Sequence, residues 1–332
     1  PIGIMSASIP SFVKPNLQID RFPRISDQDL YQKSSVNIKK INFAMKEEDT
    51  QTYLSYLHKN KTVLIIKNKV KDSVDLFDEL KNNLAFNDFE ILLYNSRFKK
   101  IDKQRKEQEI YDHLALNKPF ILIATQIVEV SLDIDFDVLF TDIAPIDSLI
   151  QRFVRVNRKK NPCKIADVFI YKYLADKPYP CELLENTEEV IQEGVCKIQA
   201  FNDWLEQVFK EFQTRILYQN SMKDLDQSHK VFYNEILASN ALQGIYQNPK
   251  YISFRKYDDE KEDCILYEDY QRYLDTSDKK WISYNHTIAL RQYEIRSNIH
   301  RTIDTDVRFT IVKLPYSYER GIRKVSDEET FI

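Results

Sequence analysis

The chain has 332 residues, 43% of them hydrophobic, with 48 Lys and Arg against 51 Asp and Glu, so its net charge at pH 7 is −3. That length and apolar content suffice for about two domains with buried cores, and the near-neutral balance excludes a uniformly basic coat, so a nucleic-acid surface has to be a local patch. Four cysteines, at 163, 181, 196 and 264, show no CxxC pairing and no His at finger spacing, which indicates neither a disulfide framework nor a zinc site. No apolar run approaches a membrane span and no signal peptide opens the chain, so the expectation is a cytoplasmic protein without a membrane partner.

In chain order, Pro10, Pro15 and Pro23 oppose helix in the first segment. Apolar runs near 36–43, 61–66, 90–94, 120–124, 137–141 and 166–171 read as strands and alternate with helical periodicities. This alternation predicts an α/β fold, a parallel sheet wound by helices, in which functional tips gather at the carboxyl ends of the strands. The first tip, after KTVLII, carries Lys67 and Asn68 and leads into a helical stripe of Val70, Val74, Phe77, Leu80 and Leu84. ILLY is followed by Asn95, Ser96 and Arg97, and ILIA by Thr125 and Gln126. After DVLF and Pro145 comes a helix on which, at about 100° per residue, Gln151, Arg155 and Arg158 share an arc of roughly 60°, opposite Leu149, Phe153 and Val156. Arginine offers a planar fork that stays charged and meets phosphate oxygens in pairs, so such a face suits a terminal phosphate.

Two basic clusters stand out: Arg97, Lys99, Lys100, Lys103, Arg105 and Lys106, then Arg152, Arg155, Arg158, Lys159 and Lys160. Asp133, Asp135 and Asp137 alternate as in a calcium loop, but the sixth place holds Val138 rather than Gly and the twelfth Ala144 rather than Glu, so that reading is rejected. Beyond Tyr171, the pattern Ile191, Val195, Ile198, Leu205, Val208, Phe212, Ile216 predicts a helix of about 30 residues, roughly 45 Å long, mildly interrupted at Gly194. From about 220 the chain is rich in Tyr, Phe and charge, with short β-like runs such as RFTIVKL, and its own residues mark no site; stacking of bases on Trp281 or exposed Tyr is weighed against the commoner core role of aromatics.

TQIVEVSLDID followed by DSLIQRFVRVNR is similar to motifs V and VI of superfamily 2 helicases, and RVNR resembles the CRISPR-associated helicase of type I systems. Val154 and Asn157 stand where the wider superfamily has glycines. KTVLIIKNKVKDSVDLFDEL resembles motif IV; NSRF resembles the backbone-gripping HSRF, with Asn95 in place of His; IMSASIP resembles motif III, with Ser8 in place of Thr.

This resemblance implies residues 1–33 as the end of a first RecA-like lobe and a linker, 34–175 as the second RecA-like helicase lobe, and 176–332 as a linker helix and a mixed, mostly helical accessory domain over a single-stranded DNA channel. It implies ATP with Mg2+, bound mainly by the first lobe, with Arg155, Arg158 and Gln151 acting catalytically at the γ-phosphate. It places Asp133 at the ribose and Arg152 at the nucleotide, and it sets Ser96, Arg97, Thr125, Gln126, Lys67 and Asn68 against the DNA backbone. The implied partners are single-stranded DNA, the first lobe, an HD nuclease domain on the same or a separate chain, and a crRNA-guided surveillance complex.

The sequence contains no GxxxxGK(S/T) loop, no DExH or DEAD strand and no His-Asp nuclease cluster, and has only four glycines. It therefore reads as a C-terminal fragment or a split half of a motor, inactive in ATP hydrolysis alone. Two alternatives remain open: a non-catalytic docking or regulatory module derived from a helicase lobe, and another superfamily 2 helicase acting on RNA.

Overall fold

The computed structural model describes residues 35–45, 49–156, 165–173, 178–212, 223, 261–275, 284–298 and 309–322. IMSASIP, Arg158, Lys159, Lys160, Cys163 and Trp281 lie outside them. The chain divides into two compact units, the first reaching Phe209 and resuming at Tyr316, the second covering Lys210–Pro315.

The first unit is built on a seven-stranded sheet. Its elements run β1 (Ser35–Ile41), α1 (Thr50–Leu57), β2 (Val63–Ile66), α2 (Val70–Asn82), β3 (Glu90–Tyr94), α3 (Lys100–Ala115), β4 (Phe120–Ala124), α4 (Val128–Ser131), β5 (Val138–Asp142), α5 (Ile146–Phe153), β6 (Ala166–Tyr171), α6 (Cys181–Val190), β7 (Gly194–Lys197) and α7 (Ile198–Phe212). The spatial order is β3-β4-β2-β5-β6-β1-β7, and the first six strands run parallel. The expected α/β architecture is therefore present, with six strands within two residues of where the apolar runs place them. VLII, FILIA and VLFTD are buried at every position, as parallel strands covered on both faces require.

Because side chains alternate along a strand, two cores form. Val63, Ile65, Ile91, Leu93, Ile121, Ile123 and Phe140 pack with α1 and α2 through Tyr53, Leu57, Phe77 and Leu80. Leu64, Ile66, Leu122, Leu139 and Val168 pack on the other side with Leu149, Ile150 and Phe153 of α5 and Phe201, Trp204, Leu205 and Val208 of α7. Leu84 departs from the expected stripe: α2 stops at Asn82 and the Leu84 side chain is exposed.

Two expected helices are shorter. The helix of about 30 residues expected over 191–216 does not form as one: β7 occupies its start and pairs antiparallel with β1 from Ser35–Lys197 to Ile38–Gly194, and only α7 follows within the described residues. Gly194 makes the break, with φ +97°, a value that side-chain-bearing residues rarely adopt. The body thus continues past 175, and α7 belongs to its core rather than to a linker.

The arginine helix also ends early. α5 stops at Phe153, the Arg155 and Val156 amides bond back to Arg152 and Phe153 at 3.0 and 3.2 Å, and Val156 bridges Phe136 in parallel. The Phe136 amide bonds the Arg155 carbonyl at 2.9 Å. After a turn at Val154 and Arg155, extended pairing thus replaces the helix at Val156, a β-branched residue that tolerates extension well. Gln151 and Arg155 do not share a helical face.

The second unit contains β8 (Lys261–Leu266), α8 (Tyr267–Asp275), β9 (Ile288–Arg291), α9 (Gln292–Asn298) and β10 (Thr310–Val312), with strand order β10-β8-β9. The first unit closes with a hairpin, β11 (Tyr316–Ser317) and β12 (Gly321–Ile322). Among the described residues no helix is long and apolar enough to cross a membrane.

Candidate functional site

The carboxyl ends of the parallel strands bring together segments far apart in sequence. Lys67 and Asn68 leave β2, Thr125 and Gln126 leave β4, Thr141 and Asp142 end β5, and Arg152 comes from the last turn of α5. Lys67 donates to the Asp142 carboxylate at 2.9 Å, and the Asn68 backbone amide donates to its other oxygen at 2.9 Å. The Asn68 side-chain amide donates to the Ile143 carbonyl at 2.8 Å, and Gln126 donates to the Asn68 carbonyl at 2.7 Å.

Arg152 sits at the middle of this network and is 0% exposed. Its Nε donates to Glu129 Oε1 at 2.8 Å, its Nη1 to Thr141 Oγ1 at 2.7 Å and to the Asp142 carbonyl at 3.0 Å, and its Nη2 to Asn68 Oδ1 at 3.2 Å. Burial pushes the Glu129 carboxyl above its usual range, against the opposing pull of Arg152. Two cations and two carboxylates, Lys67, Arg152, Asp142 and Glu129, therefore balance in a space that water barely reaches. Removing one partner of such a set leaves an uncompensated buried charge, which costs about 3–5 kcal/mol.

This placement corrects two expectations. Arg152 does not present its guanidinium on an open face, because the network already uses it; it ties β2, α4, β5 and α5 together. Lys106, from the other basic cluster, is 4% exposed and lies between aromatic rings rather than on an open face. Arg105, from the same turn of helix, stands 3.5 Å from Asp102.

Arg155 differs from Arg152. It is 8% exposed, lies in the turn after α5, and its Nη2 donates to the backbone carbonyl of Glu129. Gln151 is half-buried and Asp133 exposed, with the Asp133 amide bonded to the Tyr111 hydroxyl at 3.1 Å. Asp137 instead has a structural post: its carboxylate accepts from the Thr62 amide and hydroxyl at 2.9 and 3.0 Å, joining the starts of β2 and β5. Thr125 is 3% exposed, whereas Ser96 and Arg97 are half-buried on the flank beyond β3. There the Arg97 amide donates to Asn95 Oδ1 at 2.9 Å, an Asx turn.

Sequence reading missed Glu129, Thr141 and Asp142. The signal for the last two was a Thr-Asp pair closing an otherwise apolar strand, in a place where a parallel sheet collects polar function. Glu129 gave no comparable signal, since a single acid in the first turn of a helix is common.

A parallel sheet wound by helices, with its polar tips and charge network at the carboxyl ends of its strands, makes an α/β lobe of the RecA-like kind. Residues 59–161 match the family described as CRISPR-associated nuclease/helicase Cas3, C-terminal. The chain is 26% identical over 236 residues to a CRISPR-associated nuclease/helicase Cas3 of Methanocaldococcus jannaschii, covering 64% of this chain and 31% of that protein. It is 32% identical over 159 residues to the Streptococcus thermophilus Cas3, covering 43% and 17%. Among solved structures, T. fusca Cas3 with ADP aligns at TM-score 0.63 and 16% identity over 93% of this chain and 42% of that one, and its AMPPNP form at 0.65 and 14% over 92% and 44%. Residues 59–161 are thus similar to the C-terminal part of the Cas3 nuclease/helicases, and the chain spans less than a third of the curated relatives named here.

Proposed function

We propose that this chain supplies the arginine-bearing second lobe of an ATP-dependent translocase that moves along single-stranded DNA during CRISPR interference, and that it does not hydrolyse ATP without a first lobe. The observation that carries this reading is the meeting of three sequence segments at one edge. Asn68, Gln126 with Glu129, and Arg152 with Arg155 are joined by direct hydrogen bonds, so a shift at the DNA side of the lobe moves the arginine side with it.

Nucleotide fits this chain as half of a site. Its sequence has no glycine loop to cradle phosphates, and the groups it would contribute are Gln151 in α5, Arg155 in the turn after it and Arg158 three residues further in sequence, with Asp133 for a ribose. When bound with Mg2+, held mainly by the first lobe, ATP supplies the phosphoryl group whose charge such cations stabilise. Arg155 is assigned as the finger on the motif it occupies, and its guanidinium also bonds the Glu129 carbonyl; an arginine finger contributes a factor of about 10³–10⁵, or about 4–7 kcal/mol. Arg152, locked to a buried carboxylate, holds the turn in place. Ser96, Arg97 and Gln126, each half-buried, line the edge that meets the DNA backbone, while Lys67, Asn68 and Thr125 are buried there and support it rather than contact DNA. Delivery by a crRNA-guided surveillance complex agrees with the fold's likeness to a chain of a CRISPR RNA-guided surveillance complex in its pre-nicking state, at TM-score 0.56 and 15% identity.

The test is to assemble the chain with a first lobe and measure DNA-stimulated ATP turnover. Arg155→Ala is expected to lower turnover by at least about 10³-fold while ATP affinity stays within about threefold. Turnover that survives the substitution removes the finger. Stimulation by RNA but not by DNA transfers the motor to an RNA substrate, and partner binding without turnover in the unsubstituted assembly makes the chain a docking module.

A further inference from the structure

The turn at Asn95–Lys99 is held from outside its own neighbourhood. α3 begins after Lys99, an N-cap residue that makes no side-chain capping bond. The hydroxyl of Tyr316 serves a different group, the N-cap residue's own amide: it accepts from the Lys99 amide at 3.3 Å and donates to Asp102 Oδ2 at 2.5 Å. This is one half of a capping box relayed through a distant tyrosine, whose hydroxyl stands between the N-cap amide and the first-turn acid.

The rest of the β11–β12 hairpin continues the clamp. Lys99 Nζ stands 4.5 Å from the centre of the Tyr316 ring, and Lys106 Nζ stands 4.5 Å from the Tyr318 ring and 4.9 Å from the Phe98 ring. Tyr318 donates to Glu109 at 3.2 Å, and Arg320 reaches back to Asp78 of α2 at 2.5 Å. The Ile322 amide bonds the Arg97 carbonyl at 3.1 Å. At Gly321, with φ +75°, a Cβ would lie 2.5 Å from the Arg97 carbonyl oxygen, so only glycine permits this approach.

We propose that residues 316–322 form a positioning element for the turn carrying Ser96 and Arg97, fixing that turn for a nucleic-acid phosphate. The part concerning phosphate rests on the function proposed above. Tyr316, Arg320 and Gly321 touch no substrate in this scheme; they hold the backbone of the turn that does. The hydrogen bonds fix the Arg97 carbonyl and the Lys99 amide, and with them the direction in which the intervening chain presents its side chains.

The test uses the full chain and a fluorescein-labelled 20-mer of deoxythymidine, with affinity read by anisotropy across a salt series. Tyr316→Phe keeps the ring and removes the hydroxyl. It is expected to weaken binding by about five- to tenfold, the loss of one charge-assisted contact, and to lower the slope of log affinity against log salt by about 0.7, one phosphate on a single strand. Arg97→Ala is expected to do the same, and the double variant to add little. Full additivity, or an unchanged salt slope in Tyr316→Phe beside a lowered one in Arg97→Ala, overturns the positioning role. Should Arg97→Ala leave binding unchanged, the phosphate reading of the turn fails. Hydrogen exchange then decides the clamp alone: amides of Arg97 and Lys99 exchanging at least about tenfold faster in Tyr316→Phe and in Gly321→Ala uphold it, and unaltered exchange overturns it.

Discussion

The centre and the flank of the sheet's carboxyl edge both hold charged side chains still, by different physical means. At the centre, Arg152, Lys67, Asp142 and Glu129 hold one another, each less than a tenth exposed, and the strands that carry them are core. At the flank, the Asn95–Lys99 turn is half-buried and takes its order from a tyrosine 217 residues away in sequence. The first arrangement cannot change without damage to the fold, and the second can be loosened on its own. On the proposed function, the first would serve as a rigid coupling bar and the second as a contact that engages and releases.

Substitutions at the two places should separate cleanly. The largest effect on stability is expected from Arg152→Ala, which leaves the Glu129 carboxylate buried without its partner and should cost about 3–5 kcal/mol in urea unfolding. For a body of this size that is a fall in Tm of roughly 10 °C. A cost below about 1 kcal/mol would show that water enters the network and would erase the contrast. Arg97→Ala, at the flank, should alter unfolding by no more than about 0.5 kcal/mol while it weakens DNA binding; an equal loss of stability would place the turn in the core.

The smallest effect comes from a third place, the amino edge of the sheet, and serves as a control. Burial pushes the Asp167 carboxyl up, but hydrogen bonds from Tyr56 at 2.5 Å and Asn37 at 2.7 Å, with Lys39 close by, outweigh it and hold the carboxyl below its usual range. A lowered folded value stabilises the protein above the ordinary Asp range and ceases to do so as pH falls through the lowered value. Asp167→Asn should therefore lower Tm slightly at neutral pH, by an amount that shrinks toward acid, and leave DNA affinity untouched. A Tm difference that grows on acidification contradicts the assignment.

The sheet was legible because its information is local and periodic: VLII, FILIA and VLFTD each declare a buried strand in a few residues. The tips were legible for the same reason, since Lys67-Asn68, Asn95-Ser96-Arg97 and Thr125-Gln126 end such runs. Helix lengths were less so. A hundred-degree wheel drawn through Arg155 ignores that Val156 has a partner in Phe136, and the apolar pattern over 191–216 does not reveal that Gly194 to Lys197 pair with β1. The network was half visible, cations without their carboxylates, because Glu129 and Asp142 are single acids with no spacing to mark them. The hairpin was invisible: Tyr316, Tyr318 and Arg320 carry no period, and their partners lie more than 200 residues upstream.

That separation has a consequence for the life of the chain. Closing a loop of 217 residues costs about 2 kcal/mol more in entropy than closing one of roughly 20, so the buckle forms only onto a platform that has already folded. At synthesis rates of about 5–20 residues per second, the ribosome adds Tyr316 roughly 10–40 s after Lys99. For that interval the nascent lobe carries an unfastened turn, and the codons around Tyr316 decide when it is fastened.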